Sequence, residues 1–211
     1  MPPKPKQLRW LISKARRECR ESFDLGPAVL YRLCRRYPDH QNAKQVLAKI
    51  WLIGRSMAAP LERSLGIRGT VVDKYHRVAR AMRRSGIDSL LRRMRGREPH
   101  EIEDLSAPLR AHERVLKALR PLSHGDARSF VAKYLHFHAP AWFFIYDSVA
   151  REALRALQPR PRMPTGLATI GDSRYRDFVV RAWRQRAALA ELSPPPLSPR
   201  GLDVWIMLRG A

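Results

Sequence analysis

Apolar residues recur every three or four positions along nearly the whole chain, and strand-like alternation is almost absent. Leu8, Leu11, Ile12, Ala15 and Cys19 step along one face with basic residues between them, which predicts a first amphipathic helix. Ala28 to Cys34 predicts a second, stopped by Pro38. Val46, Leu47, Ile50, Trp51, Ile53 and Gly54 are apolar nearly all round, the pattern of a buried central helix. Pro60 and the Gly66 and Gly69 pair then interrupt the periodicity. Val71 to Met82 is again amphipathic and closes at Gly86, Ile87 to Met94 is a short helix, and Glu98 to Asp104 is a polar connector.

Ser106 supplies an N-cap, with Pro108 at a tolerated early position, for a helix running to Leu119 before Pro121. The segment Ser123-His124-Gly125-Asp126 reads as a turn before an apolar helix from Ala127 to His138, broken by Ala139-Pro140. Trp142 to Tyr146 is a short aromatic run, and Asp147-Ser148 opens a helix towards Leu157. Pro159, Pro161 and Pro164 mark a loop, Tyr175 to Leu192 a helix and Pro194 to Pro196 a stiff linker. Ser198-Pro199 begins a last helix through Trp205 and Leu208. The expected fold is all-α, with about ten helices and no internal repeat.

At 211 residues, 45% of them hydrophobic and 28% charged, the chain is long enough to bury a core as one large domain or two lobes. Charge changes the picture more. Lys and Arg number 41 against 19 Asp and Glu, a formal net charge of +22. Such an excess repels itself in a folded state and is relieved by a polyanion, nucleic acid before an anionic membrane surface. Only eight of the basic residues are Lys. A coding sequence biased towards G and C explains Arg replacing Lys, but not so few acids. No apolar run is long enough for a membrane span, the N-terminus lacks a secretory h-region, and Cys19 and Cys34 have no metal or disulfide spacing. A cytoplasmic protein is therefore expected.

Asp147 is the first candidate for chemistry. An acid before a helix is commonly an N-cap, and a carboxylate can also stabilise a cationic sugar or activate water; the two roles are compatible. Trp142, Phe143, Phe144 and Tyr146 supply aromatics beside it, for packing or for holding an extruded base, with Tyr146 best placed to reach a cleft. Trp51-Leu-Ile-Gly-Arg55-Ser56 is a second candidate, because Arg55 and Ser56 flank a glycine in an otherwise apolar helix. Arg55 either reaches a phosphate or base, or pairs with Glu62. Lys74, Arg77 and Arg80 share a helical face suited to phosphate contacts or to solvent. His136 and His138, two apart on a helix, do not share a face and make no paired metal site.

The stretch Pro121-Leu-Ser-His-Gly125-Asp126, the helix after it, the aromatic connector and Asp147 resemble the core of the helix-hairpin-helix DNA glycosylase superfamily. In that superfamily a glycine-rich hairpin grips the DNA backbone, and an Asp opens the helix that follows the hairpin. The resemblance spans Pro121 to Leu157. It implies two lobes around a cleft: residues 1–104 mainly a first lobe, 105–158 the hairpin and the acid, and 159–211 a Pro-rich loop and C-terminal helices. It implies a catalytic role for Asp147 and phosphate contacts for Gly125, Arg128, Ser129 and Lys133. The hairpin offers one glycine where the family has two. Arg128 and Ser129 stand where bifunctional members carry a Schiff-base lysine, and Lys133 lies one turn further on.

The expectation is a monofunctional DNA glycosylase acting on a damaged or modified base, in repair or in defence against foreign DNA. It needs neither cofactor nor metal and works as a monomer on duplex DNA. Trp51, Arg55, Ser56 and Tyr146 are expected at the base pocket. Two rivals remain: a non-enzymatic DNA- or RNA-binding module that keeps the hairpin architecture, and a helical protein whose partner is an acidic protein.

Overall fold

The computed structural model describes residues 4–21, 25–59, 61, 65–66, 68–123 and 126–210, and it is all-α, with ten α-helices and no strand among them. The helices are α1 (Pro5–Glu21), α2 (Leu25–Arg36), α3 (Ala43–Ser56), α4 (Val71–Arg84), α5 (Asp88–Met94), α6 (Ser106–Leu119), α7 (Arg128–His138), α8 (Ser148–Leu157), α9 (Ser173–Leu192) and α10 (Pro199–Gly210).

Most starts have a local cause. The Asn42 side chain accepts from the amides of Lys44 and Gln45 at the head of α3. Thr70 and Asp73 form a reciprocal capping box on α4. Asp172 accepts from Tyr175 N at 3.0 Å to cap α9. Ser106 does not cap α6. A 3-10 turn over Ile102–Leu105 runs directly into that helix, and Glu101 and Asp104 form the capping box one turn earlier. α3 also differs from its expected all-round burial. Val46, Ile50 and Ile53 face inward, but Trp51 is 47% exposed and Arg55 and Ser56 are exposed.

Two buried apolar clusters organise the packing. The first draws on α2 to α7, with Ile50, Val78, Leu91, Val115 and Tyr134 fully enclosed. The second joins α1 to α8, α9 and α10 around Tyr175 and Trp205. α1 thus packs along α10, far from the helices that follow it in sequence, and residue 104 is not a packing boundary. Arg16 also ties α1 to the end of α9 and the linker after it, donating to Ser193 Oγ at 3.0 Å, to the Ser193 carbonyl at 2.6 Å and to the Pro195 carbonyl. The segment 142–146 threads between the clusters, with Trp142 and Phe143 in the first and Phe144 and Tyr146 in the second. The aromatic run is core.

A polar chain crosses the first cluster. The buried Asp88 carboxylate accepts from His40 N at 3.0 Å and from His40 Nδ1 at 2.5 Å, and His40 Nε2 pairs with Tyr134 Oη at 2.8 Å. Burial holds the His40 pKa below its usual value. A neutral imidazole that donates from Nδ1 to the carboxylate must accept the Tyr134 proton at Nε2. The hydrogen bonds from His40 outweigh desolvation at Asp88 and bring its pKa down to about 2. Asp88→Ala leaves a buried imidazole and phenol without their terminal acceptor. Urea unfolding is expected to show a loss of about 2–4 kcal/mol; a loss below about 0.5 kcal/mol would mean that the chain is not coupled.

Candidate active site

Asp147 sits in extended backbone, φ −150° and ψ −177°, at the N-cap of α8. Its two carboxylate oxygens have different tasks. Oδ1 accepts from Ala150 N at 2.9 Å, which closes the cap, and Oδ2 lies 3.5 Å from Lys133 Nζ. Lys133, only 5% exposed on α7, also donates to the Met57 carbonyl at 2.9 Å. A buried ammonium is tolerable when a carboxylate and a carbonyl replace its water shell.

The Met57 carbonyl is presented by the end of α3. Ala59 N donates to the Gly54 carbonyl at 2.9 Å and Ala58 N to the Arg55 carbonyl at 3.4 Å, a Schellman turn. Its left-handed position is held by Ala58, φ +49°, where glycine would be unstrained.

These groups open into a cleft of about 380 Å³ bounded by the start of α2, the end of α3, α7, the Ile145–Ala150 segment and α10. α10 brings two residues that the hairpin resemblance did not indicate. Arg200 Nη1 and Asp203 Oδ2 pair at 2.5 Å on the cleft wall. Asp203 is 8% exposed, and its burial pushes the carboxyl pKa up to about 6 against the opposing pull of Arg200. The sequence did carry a signal: an acid inside Leu202-Asp203-Val204-Trp205-Ile206 breaks the apolar pattern of a buried helix. Arg200 also lines an adjoining pocket of about 520 Å³, walled by Tyr31, Phe137 and Pro140 and edged by Arg32 and Arg35. Beside it, His136 donates from Nδ1 to the Phe143 carbonyl at 2.7 Å and accepts the Tyr31 hydroxyl at Nε2, 2.6 Å away.

The other expected site residues are dispersed. Ser56 lines the Asp147 cleft. Trp51 and Arg55 line none of the described concavities, and Tyr146 turns away from the cleft into a separate pocket. Arg128 is not free to face a phosphate. It forks onto Asp172 at 2.6 and 2.7 Å and pairs with Asp126 at 2.7 Å, tying the start of α7 to the start of α9. Ser129 is half-buried in the same turn. Arg77, Arg80 and Arg84 wall a groove against Pro121 and Leu122, just before the expected hairpin, with Lys74 one turn back on α4. Gly125 and Glu62 lie outside the described residues. No group of three or more metal-ligating side chains occurs among the described residues, and no described helix is long and apolar enough to cross a membrane. No protein-family model, curated protein or solved structure matches the chain.

Asp203 yields a pH prediction. Its folded pKa lies above the usual 3.8, so between pH 4 and pH 6 the folded state holds more protons than the unfolded one. Its contribution to stability therefore falls as pH rises through that window. Asparagine does not titrate. The melting temperature of Asp203→Asn relative to wild type should rise from pH 4 to pH 7; a constant or falling difference would contradict the buried, raised carboxyl.

Proposed function

We propose that the protein is a monofunctional DNA glycosylase of the helix-hairpin-helix class, hydrolysing the N-glycosidic bond of a damaged or modified base. The observation that carries this reading is the Asp147 carboxylate: one oxygen closes the α8 cap and the other faces a cleft beside Lys133. The two apolar clusters are the two lobes of this reading, and the cleft between α2, α3, α7 and α10 admits the extruded nucleotide.

In the reaction the C1′–N bond breaks with its electron pair leaving on the base, and a water oxygen bonds to C1′. Asp147 stabilises the cationic sugar and takes the proton that the water loses. Lys133 holds the carboxylate in place. The released base occupies the neighbouring pocket between Tyr31, Phe137 and Pro140. Arg77, Arg80 and Arg84 take backbone phosphates on the groove beside the hairpin.

Duplexes carrying a series of modified bases provide the test. Wild type is expected to leave abasic sites in at least one of them, and Asp147→Asn to do so about 100-fold more slowly or worse. Equal rates would remove Asp147 from the mechanism. Salt-dependent binding with no base release from any duplex would favour the non-enzymatic binding module.

Lys133 supports a second reading, because its amine lies in the same cleft as the carboxylate. An amine that captured C1′ would form an imine and license strand cleavage. Borohydride added during turnover should trap no covalent protein–DNA adduct if the enzyme is monofunctional. An adduct that disappears in Lys133→Gln would assign lyase activity to this lysine.

A further inference from the structure

Consecutive residues in extended backbone point to opposite sides, so Tyr146 leaves the chain away from the cleft that Asp147 faces. It reaches a second concavity, of about 320 Å³, between α8 and α9, which shares no lining residue with the Asp147 cleft. Four arginines line it: Arg151 and Arg155 from α8, Arg174 and Arg181 from α9. Arg181 is matched by Asp177, gripped at 3.0 and 3.2 Å, and Arg151 meets the exposed Glu152 at 3.4 Å. Among the described residues no ion pair reaches Arg155 or Arg174.

An anion would stabilise this arrangement. Arg151 and Arg155 are four residues apart on one helix face, a spacing at which like charges repel, and Arg174 adds a third charge from α9. The Tyr146 hydroxyl shares this lining with Arg151. Yet neither that hydroxyl nor Arg151 Nε, both buried, makes a hydrogen bond of ordinary geometry, and Tyr146 as a whole is 4% exposed. The Tyr146 hydroxyl and the Arg151 guanidinium therefore share the concavity with two further cations, Arg155 and Arg174. The chemistry that satisfies them is a compact, multiply charged oxyanion; planar guanidinium groups and a phenol match phosphate oxygens.

We propose that this concavity is an anion site that takes linked phosphate groups, from a free pyrophosphate or nucleotide or from a nucleic-acid backbone. It does not depend on the chemistry assigned to Asp147 and stands if that assignment fails. The ligand would rest on residues that bracket Asp147, since Tyr146 precedes it and Arg151 N donates to its carbonyl at 3.0 Å.

Calorimetric titration of the full chain with sodium pyrophosphate at low salt tests the proposal. Saturable one-to-one binding is expected, about ten-fold weaker or worse in Arg155→Gln/Arg174→Gln. Binding should also weaken in Tyr146→Phe, which keeps the ring in the core. A control pair of exposed arginines elsewhere, Arg36→Gln/Arg93→Gln, should leave it unchanged, with circular dichroism confirming the fold of each variant. Absence of saturable binding to wild type, or an equal loss in both double variants, would overturn the site. Unmodified duplex DNA then identifies the source. Weaker DNA binding in Arg155→Gln/Arg174→Gln than in the control assigns the site to backbone phosphates, and equal DNA binding assigns it to a free phosphate compound.

Discussion

The contact on which the site depends is the buried ammonium of Lys133, held between the Met57 carbonyl and the Asp147 carboxylate. A lysine this deep has few ways to exist: it must find acceptors or lose its proton. Here the end of α3 supplies a hydrogen-bond acceptor and the start of α8 a counter-charge, so one side chain of α7 links three segments around the same cleft. The Met57 carbonyl is available because the Schellman turn bends the chain there, with Ala58 accepting a left-handed conformation. Asp147 can hold Lys133 and cap α8 together because the two tasks use different oxygens.

Scarcity of acids shapes the rest of the electrostatics. Asp172 caps α9 and anchors Arg128, Asp88 terminates the His40–Tyr134 chain, Asp73 and Asp104 close helix starts, and Asp177 and Asp203 each hold one arginine. These carboxylates are engaged in local caps and ion pairs, and 19 acids leave most of the 41 basic residues unmatched. Arginines line the α4 groove, the pocket between α8 and α9 and the edge of the pocket beside Tyr31. A polyanion would relieve such a field, and the nucleic-acid binding we propose should weaken with salt.

The helices were largely legible because their signals are local: apolar periodicity, caps such as Asn42 and Thr70, and breaks at Pro38 and Pro140. The position of Asp147 at a helix mouth was legible for the same reason. What failed to show depends on partners distant in the chain. Arg128 reads as a phosphate ligand until Asp172, forty-four residues later, takes it. Lys133 reads as one turn out of place, and the geometry puts it beside the acid. Tyr146 was expected to share a cleft with Asp147, but adjacent residues in extended backbone diverge. The packing of α1 on α10 left no local trace, since an amphipathic face does not name the helix that covers it.

The central claim, that Asp147 faces a deoxyribose held in the α7–α10 cleft, is tested most directly by a crystal structure of Asp147→Asn bound to a duplex. The duplex should contain a tetrahydrofuran abasic-site analogue, which occupies the sugar position without a base to lose. The account predicts C1′ of the analogue within about 4 Å of the residue 147 side chain, with Lys133 beside it. A complex that binds the duplex on another face and leaves this cleft to solvent would contradict it.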